Sequence, residues 1–427
     1  MTLRDAYDNA LGTADDTARD AYDSAVELFL GGNYGAVEGF EAAIQADPRF
    51  ALGHAGLARA LMMEGRMPEA RAAIETAQGL APRTTSREQG HIAAMAALLA
   101  GQADRARGLT KAHMRDHPRD PMVAQLCCNV FGLIGFSGEV GREAELLAFS
   151  ASLLPHYPES WWMKSMYAMA LCETGQAEAS LREMDQALAL NPRNAQGAHF
   201  KAHALYELGD AALSRAFLAG WMAGYDPRSL LHGHISWHQA LLALQDRDAE
   251  VLWAIIDAAV APDSGTRSLP INTLTDTASI LFRAEMAGLA VDPSRWQQIS
   301  AYAHQYFPQT GQSFADLHAA LGHAMAGDGD ALDRIVQSAK GFAGDLVRPL
   351  AAAWGHIARS EWRAALDDMT RIMATHERLG GSRAQRDLID LAYVHVLLKL
   401  GLAQEARRAL MLRRPVLAAA PPLAGYA

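Results

Sequence analysis

Apolar residues return every three or four positions along most of the chain, in stretches such as TDTASILFRAEMAGL, QSFADLHAALGHAMAG, LVRPLAAAWGHIA and QRDLIDLAYVHVLLKLG. That period belongs to amphipathic helices, and no alternating run of β-branched residues is long enough for a sheet. A second pattern punctuates the first. A Gly is followed five positions later by a small residue, twelve later by another small or apolar residue, and seventeen later by Pro. Gly65, Ala70, Ala77 and Pro82 fit it, as do Gly101, Ala106, His113 and Pro118, and Gly175, Ser180, Ala187 and Pro192. A copy from Gly209 reaches Pro227 one residue late, and one from Gly32 reaches Pro48 one residue early.

The glycines lie 36, 74 and 34 residues apart, from Gly65 through Gly101 and Gly175 to Gly209. These are one, two and one units of a helix–turn–helix of about 34 residues, the tetratricopeptide pattern. Gly ends the first helix, Pro stops the second, and small residues let the pair cross closely. The expectation is a single all-α superhelix (solenoid) over 1–427, curling into a partly closed ring if its ends approach. Repeats are clear over 1–258 and degenerate over 273–414. Residues 259–272 are the longest loop-like stretch and the expected hinge. The tail 415–427 has no helical period after its second Pro and is expected to be a flexible extension.

Several segments occur in the order found in the tetratricopeptide repeat protein 38 family. They are ADPRFALGHAGLA (46–58), TSREQGHIAA (85–94), the K-x-x-Y-x-x-x-L-x-E-T pattern of 164–174 and NPRNAQGAHFKAH (191–203). Further on come HISWHQAL (234–241), DTASILFR (276–283), FADLH (314–318) and GGSRAQRD (380–387). The chain resembles that family from about residue 40 to about 410, most specifically in H-x-x-W-H and GGS-x-AQRD. The resemblance implies an all-helical repeat protein and carries no defined activity. It also implies a Glu three residues after the second His of H-x-x-x-H, where this chain has Tyr206, with Glu207 one residue on.

Counting the closing Gly as position 15, positions 2, 5, 9, 12 and 13 of a first helix face the inner groove. With Gly209 at 15 these are Gln196, His199, His203, Tyr206 and Glu207, of which His199, His203 and Glu207 share one helix face. The Gly175 copy offers Trp162, Ser165, Met169, Cys172 and Glu173, with Tyr167 in the same helix; the Gly101 copy offers Glu88 and His91. The Gly65 copy offers only Arg59, among Leu, Ala and Met. The next helix adds His234, Trp237 and His238, in a register left open because Asp246 stands where the turn Gly is expected. In GGSRAQRD, Ser382 caps a helix whose first turns hold Gln385, Arg386 and Asp387. An Arg so near a helix N-terminus calls for an acid partner, Asp387 or Asp316. Asp276, Arg283 and His318 are second-rank positions. His54, His91, His356 and His395 read singly as satisfied core residues, and His113, His117, His304 and His376 as surface or turn residues.

Half of the 427 residues are apolar and 20% are charged, enough to bury a large core. The 38 Lys and Arg against 48 Asp and Glu give a net charge of −10 without a basic stripe, which argues against nucleic acid as a partner. Cys127, Cys128 and Cys172 make no disulfide framework, and no apolar run reaches membrane-spanning length. The expectation is a cytoplasmic protein with no membrane partner. No cofactor is indicated. His pairs four apart suit a metal, but without H-E-x-x-H, C-x-x-C or the carboxylates beside a hydrolytic metal none is assigned.

Two functions remain. One is binding of a small polar organic molecule in an interior pocket, with His199, His203, His234 and His238 as catalytic acid–base groups of a hydrolytic or proton-transfer enzyme. Glu207, Tyr206, Trp237, Tyr167, Glu173, Arg386 and Asp387 would line that pocket. The other is a non-catalytic scaffold holding a peptide or protein in the groove. A homodimer is the default assembly.

Overall fold

A computed structural model describes residues 2–426, which form antiparallel helical hairpins of the tetratricopeptide kind. The paired helices are α1 (Asp16–Gly31) with α2 (Ala36–Ala46), α3 (Ala51–Met63) with α4 (Met67–Leu80), and α5 (Ser86–Leu99) with α6 (Ala103–Asp116). After the short α7 (Pro121–Ala124) come α8 (Arg142–Leu153) and the pair α9 (Trp161–Glu173) and α10 (Ala177–Leu190). Then follow α11 (Ala195–Leu208), α12 (Ala211–Met222), and α13 (His232–Gln245) against α14 (Ala249–Ile255). The last stretch holds α15 (Pro270–Met286), α16 (Pro293–Tyr306), α17 (Ser313–Ala326), α18 (Gly329–Ser338) and α19 (Gly344–Ala358). It ends with α20 (Trp362–Ile372), α21 (Arg383–Lys399), α22 (Ala403–Arg413) and α23 (Pro415–Ala418). Beyond α23, Leu423 is buried and the Ala424 N–H bonds the Met286 carbonyl at 2.8 Å.

One hydrogen-bond pair ends the first helix of a hairpin. At Gly65 the chain turns through a φ of 76°, the Gly65 N–H reaches the Met62 carbonyl (3.1 Å), and the Arg66 N–H reaches back to Leu61 (3.0 Å). This pair satisfies carbonyls that the helix leaves open, and it needs a left-handed residue. The same pair closes the helices at Gly32, Gly101, Gly175 and Gly209, then at Arg247, Gly288, Gly327, Ser360 and Gly401. The hairpin turn therefore continues beyond residue 258, with Arg247 (φ 59°) and Ser360 (φ 60°) in the place of glycine. Arg247 also settles the register of α13: counted from it, His234 and Trp237 take positions 2 and 5. The double interval between Gly101 and Gly175 holds an extra unit made of α7, the turns through 125–141 and α8. A Cβ on Gly135 would lie 2.0 Å from the Val130 carbonyl oxygen, so that turn admits only glycine. Cys127 and Cys128 are buried here, and burial pushes the Cys127 thiol up to about 12.

The hairpins fall into two compact units. The first takes in the chain up to Gly135, Glu143–Ala204 and Gly224–Leu231; the second takes in Phe136–Arg142, Leu205–Ala223 and His232 onward. In the first unit, later elements fold back onto the first hairpin. The Trp161 indole donates to Glu27 (3.1 Å), Asn33 donates to the Arg193 carbonyl (3.1 Å), and the Tyr34 N–H bonds Ser229 (3.0 Å). In the second unit α15 is central, packing on α13, α16, α17 and α21. The loop 261–269 lies within this unit.

The first unit turns on one carboxylate. Asp120 Oδ2 accepts from Arg87 (2.8 Å), from His91 Nδ1 (3.0 Å) and from His113 Nε2 (3.1 Å), all of them buried. Arg87 also donates to the Ala10 carbonyl (3.1 Å), and Glu88, in the capping box of α5, accepts the Gly12 N–H (2.7 Å), fastening the N-terminal segment. His113 is thus a buried ligand of this network, not the surface residue expected. The cause is the turn at 117–120, which returns the acid to the end of α6. Burial alone would raise Asp120, but His91, His113 and Arg87 hold it well below the carboxylate range.

A carboxyl held low in the folded state stabilises the fold above its unfolded pKa of about 4 and loses that contribution as pH falls toward its folded value. Asp120→Asn, which leaves Arg87 buried without its acid, should cost about 3–5 kcal/mol at neutral pH and flatten the acid limb of the stability curve. Urea unfolding at a series of pH values measures both; a loss under about 1 kcal/mol would remove Asp120 from this role.

Candidate functional site

The second unit is built around a polar stripe on a buried helix. α15 places Asn272, Asp276, Ser279 and Arg283 three or four residues apart, so they share one face, and all are at most 4% exposed. Arg283 donates to Ser279 Oγ (3.1 Å) and to the Ala384 carbonyl in the first turn of α21 (2.7 Å), and its guanidinium lies 5.9 Å from the centre of the Trp237 ring.

One turn toward the N-terminus, Asp276 Oδ2 lies 2.6 Å from His234 Nδ1 on α13. A carboxylate at that distance accepts from Nδ1 and orients the imidazole. His234 stacks on Trp237 at 5.5 Å with the rings 11° apart, and His238 meets both edge-on at 5.2 and 5.0 Å. H-x-x-W-H is therefore a packed aromatic cluster oriented by one acid. Burial raises Asp276 from its ordinary value in spite of His234 and the Asn272 and Gln385 amides.

Among the buried polar atoms of this unit, Trp237 Nε1 and His318 Nε2 lack a hydrogen-bond partner. His318 donates Nδ1–H to the Phe314 carbonyl (2.7 Å), and burial lowers it to about 4, so it stays neutral with Nε2 as an acceptor. One donor and one acceptor are thus left in the core, each costing about 1–3 kcal/mol if unmet.

A second cluster joins α11, α21 and the start of α23. Arg414 donates to both oxygens of Glu207 (2.8 and 2.6 Å) and to Asp387 (2.9 Å), Arg383 donates to Glu207 (3.1 Å), and the Tyr206 hydroxyl donates to Asp387 (2.8 Å). Burial raises Glu207, but Arg414 and Arg383 prevail and bring it below the usual range. Nearby, Asp390 accepts from Arg413 and from His376 (3.3 Å), which hold it near 2 against burial. His376 is buried rather than a surface turn residue because that pair draws it in.

Asp387 pairs with Arg414, and Asp316 accepts the Gly311 N–H (2.9 Å) and rises to about 7 through burial. Arg386 donates to the Gly381 carbonyl, which also accepts from Arg142 (2.7 Å). Ser382 caps α21 in a full capping box with Gln385.

In the first unit His199 and His203, one turn apart on α11, are buried with their Nε2 atoms 2.8 Å apart. A contact that short makes one nitrogen the donor and the other the acceptor. Tyr167 is half-buried and Glu173 buried, both on α9. The spacing brings together His199 with His203, Tyr206 and Glu207 with Asp387, and His234 with Trp237 and His238. Reading the sequence missed Asp120, Arg383 and Arg414, whose partners lie tens or hundreds of residues away, and ranked Asp276 and His318 too low. The signal for Asp276 was present: an acid, a hydroxyl and an Arg on the buried face of an apolar helix.

One further cation stands apart. Arg59, at the groove position of α3, is half-buried, donates to Gln125 Oε1 (3.1 Å) and lies 5.6 Å from the centre of the Phe29 ring. Its Nε has no partner, and no carboxylate of the described residues pairs with it; burial alone lowers it to about 10.

Removing Arg414 would leave Asp387 without a cation and Glu207 with Arg383 alone. Arg414→Met should cost about 3–5 kcal/mol, and adding Glu207→Gln and Asp387→Asn should restore most of it. Chemical denaturation of the single and triple variants tests this. A single variant as stable as the parent would show that the cluster does not hold α21 to α11.

No protein-family model matches the chain. Among solved structures it is similar to a human IFIT1 dimer with m7Gppp-AAAA, at 14% identity over 97% of this chain and 94% of that one, with a TM-score of 0.45. It is also similar to yeast Tom70, at 12% identity over 93% and 92% of the two chains, with a TM-score of 0.36. No helix of the described residues is long and apolar enough to cross a membrane.

Proposed function

We propose that the protein is a helical-hairpin scaffold, related to the tetratricopeptide repeat protein 38 family, that holds the C-terminal end of a polypeptide by its carboxylate. The observation behind this reading is Arg59. A guanidinium drawn from water without an acid is costly, and a ligand that supplies the anion removes that cost. Its fork matches a carboxylate in two parallel hydrogen bonds, and Nε is one of the donors such a pair uses. Further along the same helix, the half-buried Met62 and Met63 offer apolar surface suited to a hydrophobic terminal residue. The acids that catalysis would draw on, Glu207 and Asp387, are already neutralised by Arg414 and Arg383.

A second reading has one observation in its favour. The His234–Asp276 dyad, stacked on Trp237, has the composition of a site for a small polar molecule, with His234 as an acid–base group. His199, His203 and His238 would then act with it as acid–base groups, and Tyr167, Glu173 and Arg386 as further binding residues.

Fluorescence anisotropy with a library of hydrophobic-ended peptides separates the two. The scaffold reading expects free-acid peptides to bind, C-terminal amidation to weaken them at least about tenfold, and Arg59→Met to do the same, with His234→Ala leaving them unchanged. Equal binding of acid and amide would overturn it. So would absence of peptide binding together with turnover of a metabolite pool that His234→Ala abolishes.

A further inference from the structure

His304, His323 and Asp328 are brought together by three successive helices of the second unit. His304 lies near the C-terminal end of α16, His323 in the last turn of α17, and Asp328 is the N-cap of α18. The turn between α17 and α18 does the assembling. Gly327, with a φ of 77°, reverses the chain, and the Asp328 N–H bonds back to the His323 carbonyl (2.9 Å). The acid is thereby returned over the imidazole five residues earlier in HAMAGD.

The Asp328 side chain is fixed by its capping role. Oδ1 accepts the Ala331 N–H (3.1 Å), which leaves Oδ2 directed at the two rings. Oδ2 lies 2.7 Å from His304 Nε2 and 3.9 Å from His323 Nδ1. The two rings stand 4.7 Å apart, tilted by 48°, and one ligand atom from each of the three residues lies within 4.8 Å of the others. Ligands 2.0–2.2 Å from a zinc ion are about 3–3.5 Å from one another, so only a small closure separates these atoms from a coordination shell. His323 Nδ1 is also 2.8 Å from Ser300 Oγ, a hydroxyl placed to steer that ring. His323 is buried while His304 is exposed, so one ligand is held by packing and another opens to solvent, giving the ion an entry path.

We propose that His304, His323 and Asp328 form a binding site for a divalent transition metal ion such as Zn²⁺. Two imidazoles and one carboxylate form a borderline ligand set, which favours Zn²⁺, Co²⁺, Ni²⁺ or Cu²⁺ over Mg²⁺ and Ca²⁺, whose sites are all oxygen. Three protein ligands leave a further position for water. The ion would replace the proton that now joins His304 to Asp328 and tie α16, α17 and α18 at one point. The site stands apart from the peptide anchor at Arg59 and does not depend on it.

The probe is Co²⁺ added to the full-length chain after chelator treatment, read by its visible d–d spectrum, with Zn²⁺ titrated by calorimetry alongside. The proposal expects one equivalent of Co²⁺ to give the intense bands of a four- or five-coordinate site, displaced by Zn²⁺. His304→Ala should remove that equivalent or weaken it at least about tenfold. Asp328→Ser keeps a capping hydroxyl at α18 but takes away the ligand oxygen, and it should do the same with helical content and melting temperature unchanged. Co²⁺ spectra and stoichiometry identical in the parent and both variants would place any bound ion elsewhere and overturn the proposal. Absence of saturable binding by the parent would also overturn it.

Discussion

A charge taken out of water must be met by another charge or by a full set of hydrogen bonds, and that constraint shapes the interior of this molecule. Asp120 gathers three cationic or imidazole partners on one oxygen. Glu207 and Asp387 share Arg414, Asp390 takes Arg413 and His376, and Asp276 takes His234. Other buried guanidiniums also reach backbone carbonyls: Arg283 that of Ala384, and Arg142 those of Glu377 and Gly381. Arg59, with a single side-chain amide and a phenyl ring, departs from this pattern. That departure is the observation on which the proposed carboxylate anchor rests.

The hairpin turn makes such compensation possible. Each first helix ends in the same left-handed residue, so side chains a fixed distance upstream come to the same side of successive hairpins. Acids and bases separated by long stretches of chain then meet across neighbouring helices. α15 shows the result: a helix packed on four others has no face left for solvent, and its polar residues must line up in a stripe that bonds to α13 and α21. The cost is rigidity of composition. Asp276 serves His234 only while α13 keeps its register, and that register is set at Arg247.

Much of the architecture was legible in the chain. The helical period and the spacing of Gly65, Gly101, Gly175 and Gly209 carry the hairpin, because turn and helix are local and a single residue type marks the turn. The turns at Arg247 and Ser360 were not legible, since neither residue advertises a positive φ. Counting back from the turn glycine picked out Arg59, His199, His203 and Glu207, but not what each one meets. Glu207 meets Arg414 across two hundred residues, and no local pattern records such a pairing. His113 and His376 sit in polar stretches that read as surface, and only the carboxylates of Asp120 and Asp390 draw them inward. The segments that carry the family resemblance, among them TSREQGHIAA, HISWHQAL, DTASILFR and GGSRAQRD, supply many of these buried polar groups, which gives them a physical reason to differ from a generic repeat.

If Arg59 is kept for a ligand, its charge is a burden on the unliganded fold. Urea unfolding of the ligand-free Arg59→Met variant beside the parent measures this directly. The account predicts a variant more stable by about 1–3 kcal/mol, since an isosteric apolar chain relieves the desolvated guanidinium. A variant less stable than the parent by more than about 1 kcal/mol would contradict it, by showing that Arg59 is needed to hold α1, α3 and the segment after α7 together.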